Sequence, residues 1–387
     1  MKEQGLHKTE LTLKQKLWQI QWFLVLLLFT AASVGFAMLY SAGGETAGTG
    51  SLNPWASRQM IRFGLGVVMM LTVAVLDIRL WLRHAYALYL ATFVMLVVIE
   101  LGGFVGTGAH RWINFGVVNI QPSELMKFTM VLALARYFHG GSIDDISRPL
   151  FLLPPLLLVA APSALVLRQP DLGTTVMLII AGGVIFFLAG VKLWKFGALA
   201  LAALVSAPIA WHFLRDYQKN RVLTFLDPER DPLGAGYHII QSKIALGSGG
   251  LFGKGFMLGS QSHLKFLPEK QTDFIFTMLS EEFGLMGGLG LLGLYSLILV
   301  YGFAISLRCR NQFGRLVGLG VTTTFFLYMF INIAMVIGLI PVVGAPLPLV
   351  SYGGTAMVSM LFGFGLLLGV YIHRDTQIGR RGSGEEL

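Results

Sequence analysis

The chain has 387 residues, of which 55% are hydrophobic and only 13% are charged. A soluble protein carries about a quarter charged residues, so this composition excludes an ordinary soluble enzyme and indicates a polytopic membrane protein. The net charge of +9 is typical of a membrane protein with basic cytoplasmic loops, and we expect no nucleic-acid partner. The single cysteine, Cys309, excludes an internal disulfide framework.

Ten apolar segments are long enough to cross a membrane, because a spanning helix needs ~20 predominantly apolar residues. They lie at 20–40, 60–77, 85–103, 123–139, 149–167, 172–190, 195–214, 274–306, 314–340 and 352–373. The first is longer than the ~7–15-residue core of a signal peptide, so we expect it to be retained. The fifth and sixth are separated by only 168–171, which predicts a tight hairpin. The eighth exceeds a simple span, which leaves room for tilt. The sequence predicts an all-α polytopic integral membrane protein with a single domain, 1–387.

The Lys and Arg residues are unequally distributed between the predicted loops. With the N-terminus inside, sixteen of them fall on cytoplasmic segments and four on the short outer loops. Basic residues favour the cytoplasmic side, so the terminal segments 1–19 and 374–387 are predicted to lie inside. The only long polar stretch, 215–273, is then an extracytoplasmic loop between the seventh and eighth helices. The tail after His373 is predicted to be disordered.

Three parts of this long loop have recognisable local patterns. The segment Asp227–Pro232 has two prolines and alternating charge, which predicts a turn. The segment Gly236–Leu246 is predicted to form a short interfacial helix. The glycine-rich run Gly247–Gly255 resembles a phosphate-binding loop, but it lacks the required glycine spacing and its Lys254 is followed by Gly rather than Ser or Thr. We interpret it as flexible turns.

Four ionisable residues lie near the outer ends of predicted helices, where charge is costly and often functional. Glu124 and Lys127 are spaced to share one helix face and could pair, for function or only to brace the helix. Asp171 and Asp273 each precede a helix and could serve only as caps. Antiparallel threading brings all four to the same level of the bundle, so we expect one shared cavity.

Five cations near these groups have no obvious local partner: Arg111, Arg221, Lys243, Lys265 and Lys270. Such a cluster suits a phosphate or pyrophosphate ligand, although cations in loops are often merely solvated. Glu281 and Glu282 lie about 12 Å along the helix from Asp273, and one of them could line the cavity.

The last outer loop, 341–355, has three prolines, three glycines and no charge. Backbone this irregular at the membrane is tolerated only where it packs in protein or lines a cavity. Its Ser351 and the residues that follow offer a hydroxyl and N–H groups beside the next helix, which can serve an anion. A simple re-entrant turn is the alternative.

Several of these segments are similar to the motifs of a known family. The segment 332–356, with its Ser351-Tyr-Gly-Gly-Thr-Ala run, resembles the signature of the family named for shape, elongation, division and sporulation (SEDS). Further family motifs match at 121–127 (Gln-Pro-Ser-Glu-Leu-Met-Lys), 168–174 (Arg-Gln-Pro-Asp-Leu-Gly-Thr) and 268–276 (Pro-Glu-Lys-Gln-Thr-Asp-Phe-Ile-Phe). The segment 227–243 is similar to the elongation branch. The division branch typically has Ala-His where this chain has Lys-Gln before Thr272.

The resemblance covers nearly the whole chain and implies a peptidoglycan glycosyltransferase that polymerises lipid II. It implies a class B penicillin-binding protein as the partner that supplies the transpeptidase, in the bacterial cytoplasmic (inner) membrane with the site on the outer face. By this resemblance, the family's essential aspartate corresponds to Asp273. The family's cavity residues correspond to Glu124, Lys127 and Asp171. The correspondence is weaker for Arg111, Arg221 and Lys243. Asp273 would act as general base while cations, with Mg²⁺ or Mn²⁺, stabilise the departing undecaprenyl pyrophosphate. We expect no organic cofactor.

Two other functions fit the same residues. A transporter could flip a lipid-linked precursor through a charged cavity, although its site would then be expected near the midplane, often with an internal repeat. A scaffold could dock a partner's membrane helix on the glycines of Gly284–Gly290, which permit close packing. Only an enzyme makes glycan strands from lipid II without other components.

Overall fold

The computed structural model describes residues 12–43, 54–101, 111–114, 119–213, 216–230, 235–260 and 270–379. Within these ranges the chain is built of helices, with one antiparallel pair of two-residue strands, β1 (Ile113–Asn114) and β2 (Asn119–Ile120). The helices are α1 (Leu13–Trp18), α2 (Trp22–Ala42), α3 (Pro54–Val75), α4 (Ile78–Leu101), α5 (Pro122–His139), α6 (Ile143–Ser147), α7 (Pro149–Arg168), α8 (Leu172–Leu188), α9 (Leu193–Phe213), α10 (Asp216–Leu226), α11 (Ala235–Ser248), α12 (Ile275–Arg308), α13 (Gln312–Val336) and α14 (Gly354–Ile372).

Each of the ten segments predicted to be a membrane helix coincides with one observed helix: α2–α5, α7–α9 and α12–α14. The tight hairpin is also present, since α7 ends at Arg168 and α8 begins at Leu172. Among the described residues, seven helices are long and apolar enough to span a bilayer: α2, α3, α4, α7, α12, α13 and α14. The chain is therefore a multi-pass membrane protein. The number of crossings and their orientation stay predictions.

The centre of the bundle is α13, most of whose side chains are buried. It packs against α5, α8, α12 and α14. Small residues allow this approach: a Cβ at Gly320 would lie 2.5 Å from a methyl carbon of Val131, and one at Gly363 of α14 would lie 2.3 Å from the ring of Phe128. Membrane helices associate through such small residues because their backbones can then come close. The core accordingly lies between α5, α13 and α14.

The long helix α12 is broken at Gly284, whose φ of 67° lies in the left-handed region that favours glycine. The glycine-rich run packs against this break. The N–H of Lys254 donates to the Glu281 carbonyl at 3.0 Å, and that of Gly255 donates to the Glu282 carbonyl at 2.9 Å. The run thus forms turns, as predicted, but they are hydrogen-bonded to α12. The extra length of the eighth predicted span is explained by this break.

The rest of the long polar stretch is more helical than predicted. The interfacial helix expected at 236–246 is confirmed as α11, and the predicted turn after Asp227 is a single 3₁₀ turn, Pro228–Arg230. The helix α10 was not anticipated, because its polar composition lacks a clear apolar face. Residues 231–234, 261–269 and 380–387 lie outside the described part of the chain. The prediction of disorder after His373 is wrong for 374–379, because the Arg310 N–H donates to the Arg374 carbonyl at 3.0 Å and the Asn311 amide donates to the Thr376 carbonyl at 3.3 Å.

The irregular loop between α13 and α14 is enclosed by protein. A Cβ at Gly35 of α2 would lie 2.7 Å from Val350 Cα, and one at Gly173 of α8 would lie 2.8 Å from the Val343 carbonyl. Helices α2 and α8 therefore pack against this non-helical backbone from two sides. Such packing is expected, because non-helical N–H and C=O groups cannot face lipid without losing their hydrogen bonds.

Candidate active site

Glu124 and Lys127 form a fully buried ion pair on α5. Lys127 Nζ lies 2.7 Å from Glu124 Oε1, and the two residues are 1% and 4% exposed. The Tyr328 hydroxyl of α13 contacts both side chains, accepting from Lys127 and donating to Glu124. Pro122 at the first helical turn starts α5 just before this pair. The predicted pairing is confirmed, and a third residue that the sequence did not indicate joins it.

Asp171 has the capping role considered for it and also forms an ion pair. It is the N-cap of α8, accepting from the Thr174 N–H at 3.0 Å. Its other carboxylate oxygen lies 3.5 Å from a guanidinium nitrogen of Arg111. Arg111 also donates to the carbonyls of Gln169 and Pro170, at 3.1 and 2.9 Å. The expectation that Arg111 lacks a local partner is therefore wrong, because it is bound to the α7–α8 hairpin.

The segment that carries Asp273 is held by its backbone carbonyls. Three consecutive carbonyls each accept one hydrogen bond: Gln271 from the Tyr352 N–H at 2.8 Å, Thr272 from the Ser351 hydroxyl at 2.5 Å, and Asp273 from the Asn332 side-chain amide at 2.9 Å. The helix α12 begins two residues later, with Phe274 at the N-cap position. Phe274 rather than Asp273 is therefore the N-cap residue of α12, and the catalytic role of Asp273 stays a prediction.

The central helix α13 joins the buried pair to the Asp273 segment. Tyr328 and Asn332 are four residues apart, so they lie on one face about 6 Å apart along the axis. Tyr328 contacts Glu124 and Lys127, whereas Asn332 binds the Asp273 backbone. Asn332 is fully buried, and its amide also donates to the Ala345 carbonyl at 2.7 Å.

The loop before α14 brings Asp171 and Asp273 to the same place. A Cβ at Gly344 would lie 3.3 Å from Asp273 Oδ2. The preceding residue, Val343, contacts Gly173, two positions after Asp171. The four acidic and basic residues expected to share one cavity thus surround α13 and this loop.

Ser351 does not have the free groups expected of it. Its hydroxyl donates to the Thr272 carbonyl and accepts from the Leu347 N–H at 2.7 Å, and its own N–H donates to the Leu347 carbonyl at 3.0 Å. The N–H of Tyr352 is bound as well. The prediction of free hydrogen-bonding groups is therefore wrong for Ser351 and for the Tyr352 N–H, whereas the buried Thr355 hydroxyl has no partner among the described residues. Ser351 supports the backbone beside Asp273.

Glu281 and Glu282 do not line an open cavity, because both are fully buried. Glu281 lies 2.8 Å from Lys254 Nζ, and Glu282 accepts from the Ser41 hydroxyl of α2 at 2.5 Å. Adjacent carboxylates on α12 therefore fix the glycine-rich turns and the end of α2. The expectation that one of them faces the cavity is wrong.

The remaining predicted cations are placed differently from one another. Lys243 is exposed on α11 and lies against Gly338, just after α13, where a Cβ would be 2.9 Å from its Nζ. Its neighbour Ser242 is buried and donates to the Val336 carbonyl at 2.9 Å, which anchors α11 near Asn332.

Arg221 is half-buried on α10, which packs on α11 and the 3₁₀ turn. Lys265 lies outside the described residues, and Lys270 precedes the clamped carbonyls.

Sequence reasoning missed two polar residues on α3. Gln59 is fully buried and donates to the Ser351 carbonyl at 2.9 Å. The guanidinium of Arg62 lies 5.0 Å from the centre of the Tyr352 ring, and a Cβ at Gly354 would be 3.0 Å from its Cζ. Their spacing of three was a usable signal, because it places both on one face of the helix.

The described residues do not form a ready metal centre. Among them, no three His, Cys, Asp or Glu side chains come together as a potential ligand set. Glu124 and Asp171 already bind cations of the protein. The arrangement therefore does not fit a metal held by the protein alone, and we derive no catalytic step through one.

Two relatives of known name are similar to the chain over most of its length. The peptidoglycan glycosyltransferase MrdB of Escherichia coli K12 is 41% identical over 352 residues, which cover 91% of this chain and 93% of MrdB. The stage V sporulation protein E of Bacillus subtilis 168 is 36% identical over 353 residues, covering 90% and 95% of the two chains.

Solved structures have the same fold. A chain from a peptidoglycan synthase complex, described for its coordination of polymerization and crosslinking, matches with a TM-score of 0.77 and 32% identity over 92% of this chain and 99% of that chain. The crystal structure of the Thermus thermophilus rod shape determining protein RodA matches with a TM-score of 0.68 and 29% identity, covering 92% and 98%. The family model of the cell cycle proteins FtsW, RodA and SpoVE matches residues 21–376. The chain therefore belongs to the FtsW/RodA/SpoVE family.

Proposed function

We propose that this chain is a peptidoglycan glycosyltransferase that polymerises lipid II during cell elongation, with Asp273 as the general base. The curated relatives with this activity in their names support the reaction class. The observation that carries the assignment to Asp273 is the set of three hydrogen bonds on the carbonyls of 271–273. A base that removes a proton in the transition state must be held in place. The three hydrogen bonds to the backbone of 271–273 would hold the Asp273 side chain in this way.

The reaction joins the 4-hydroxyl of an acceptor sugar to the anomeric carbon of a donor. The hydroxyl oxygen forms the new bond as the bond from that carbon to undecaprenyl pyrophosphate breaks, so the configuration inverts. Asp273 takes the hydroxyl proton, and the pyrophosphate leaves with the bonding electron pair. A positioned general base contributes about 10²–10⁴-fold to such a step.

The departing pyrophosphate needs positive charge near it. Arg62 and Lys243 lie on opposite sides of the loop between α13 and α14 and form no ion pair with a described residue. Guanidinium groups bind phosphate oxygens in a bidentate manner, which suits Arg62 to this role. A divalent cation, Mg²⁺ or Mn²⁺, would in this proposal enter with the pyrophosphate, since the described side chains do not form a cage for it.

The buried groups are proposed to shape the substrate cavity. Glu124 and Lys127 pair with each other and with Tyr328, and Asp171 pairs separately with Arg111, so opposite charges are balanced within each group. Arg221 is assigned to the substrate as well, through the loop that carries α10. Ser351 is assigned indirectly, because it holds the Thr272 carbonyl.

The proposed setting is the bacterial cytoplasmic (inner) membrane, with the site on the outer face and a class B penicillin-binding protein as partner. The asymmetry of Lys and Arg supports the orientation. The structural similarity to a chain of a peptidoglycan synthase complex supports the partnership. Lipid II would enter sideways from the bilayer, since its carrier is a lipid.

The deciding experiment gives lipid II to the purified full-length chain in detergent, with and without the partner. Glycan strands that form in either condition, and that disappear with Asp273→Asn, support the proposal. Translocation of lipid II across vesicles with no strand formed in either condition would favour a transporter instead. The detergent assay therefore tests the enzyme, and the vesicle assay tests the transporter.

A further inference from the structure

A cleft lies between three helix ends on the side of the molecule predicted to be cytoplasmic. It has a volume of about 380 Å³ and lies where α2 begins and where α12 and α14 end. Its lining residues are Gln21, Val300, Tyr301, Ala304, Ile305, Arg308 and Tyr371. The volume is within the ~300–1,000 Å³ typical of sites that hold small organic ligands. The cleft is at the opposite ends of α12 and α14 from Asp273.

The walls of this cleft change from apolar to polar towards its mouth. Val300 and Ala304 lie eight and four residues before Arg308, so they are about 12 and 6 Å deeper along α12. Arg308, Gln21 and Tyr371 lie at the ends of their helices, where they bring a guanidinium, an amide and a phenol to the mouth. A ligand that fits has a polar end and an apolar end.

Exposed tryptophans place this end of the molecule at a membrane surface. Trp18 is 80% exposed and Trp22 is 52% exposed, and both lie just before or at the start of α2. Tryptophan is enriched at the level of the lipid headgroups because its ring is amphipathic. The mouth of the cleft is therefore at headgroup depth, and its apolar wall is at the depth of the upper acyl chains.

The charge at the mouth is not balanced by the protein. Arg308 is exposed and forms no ion pair within the described part of the chain. Arg310, two residues later, lies 3.6 Å from an Asp375 carboxylate oxygen. Arg374 is likewise occupied, with its guanidinium 4.4 Å from the Tyr371 ring and 3.8 Å from Asp375. One cation is thus available to an anion at the cleft.

We propose that this cleft binds one anionic glycerophospholipid, independently of the glycosyl transfer reaction. The lipid phosphate would pair with Arg308, its glycerol region would contact Gln21 and Tyr371, and an acyl chain would lie along Val300 and Ala304. Basic pockets between membrane helices on the cytoplasmic side are suited to such headgroups. A zwitterionic lipid fits less well, because its ammonium group would add positive charge beside Arg308.

The test uses the full-length protein purified in a mild detergent and exposed to equal amounts of phosphatidylglycerol and phosphatidylcholine. Bound lipid is counted by native mass spectrometry. Arg308→Gln removes the charge, Ala304→Phe fills the apolar part, and Arg310→Gln is the matched control two residues away. Thermal unfolding of each variant without added lipid checks that the fold is kept.

We expect the wild type and Arg310→Gln to retain phosphatidylglycerol in preference to phosphatidylcholine. Arg308→Gln and Ala304→Phe should each lower this retention roughly tenfold, the loss expected for one charge-assisted contact or for a filled site. Three results would overturn the proposal. The first is equal retention of both lipids, the second is a loss of retention in only one of the two cleft variants, and the third is an equal loss of retention in Arg310→Gln. Retention of no phospholipid by any form would also overturn it, and would point to another protein helix as the occupant.

Discussion

The side-chain amide of Asn332 donates a hydrogen bond to the backbone carbonyl of Asp273 at 2.9 Å. Asn332 is fully buried on α13, one helical turn after the Tyr328 hydroxyl that contacts Glu124 and Lys127. A single helix face therefore sets the separation between the proposed base and the buried ion pair.

Replacing Asn332 is expected to lower kcat with little change in KM. Asn332→Ala leaves the part-buried carbonyl of Asp273 and the buried carbonyl of Ala345 without this donor, and the loss at a buried carbonyl costs about 1–3 kcal/mol. Small displacements of a catalytic group cost as much as 10²-fold in rate. The measurement is initial rates of glycan formation over a range of lipid II concentrations. A purely structural role would lower the amount of folded protein but leave kcat per folded molecule unchanged, so the folded, monodisperse protein is quantified by gel filtration.

The ion pair on α5 is expected to show strong coupling in a double-mutant cycle. Glu124→Gln or Lys127→Met alone leaves one buried charge without its partner, which costs about 3–5 kcal/mol. The double variant removes both charges and should recover much of that loss of stability. Thermal unfolding in detergent of the four proteins measures this. Strict additivity of the single effects would contradict the coupling.

Two variants of Asp171 are expected to separate the effect of its helix cap from the effect of its charge. Asp171→Asn keeps an oxygen for the Thr174 N–H but loses the ion pair with Arg111, whereas Asp171→Ala loses both. The cap is worth about 1 kcal/mol, so only the Ala variant should unfold at a clearly lower temperature. Both should polymerise lipid II more slowly if the charge serves the substrate. Normal activity of the Asn variant would limit Asp171 to capping.

The orientation of the chain is expected to place α10 outside and the end of the chain inside. Asn220 and Gln377 are both exposed, and the only native cysteine, Cys309, is buried. In a Cys309→Ser background, an impermeant maleimide added to cells with a permeabilised outer membrane should label Asn220→Cys but not Gln377→Cys. Labelling after full lysis confirms that both are reactive. The reverse pattern would contradict the predicted topology.

Much of the fold follows from the sequence because apolar length alone defines a membrane helix. The same reasoning found Glu124, Lys127 and Asp171, since charges at membrane depth are conspicuous. It failed for Ser351, because a hydroxyl in an irregular loop looks available until its partner Thr272 is brought close by folding.

Two further features were missed for the same reason. The break at Gly284 depends on the distant glycine-rich turns that pack against it, and nothing in the local pattern of α12 distinguishes it from other glycines. Asn332 binds a backbone carbonyl in another part of the chain, and the sequence around a single buried amide does not indicate its partner.

The most direct test of the central claim is the rate at which purified Asp273→Asn polymerises lipid II. Asn keeps the size of the side chain and leaves the three hydrogen bonds to the carbonyls of 271–273 unaltered, so folding and partner binding should be kept. An amide cannot accept the proton of the acceptor hydroxyl, and we expect a loss of roughly 10²–10⁴-fold. A well-folded variant that forms glycan strands at the wild-type rate would contradict the assignment of Asp273 as the base.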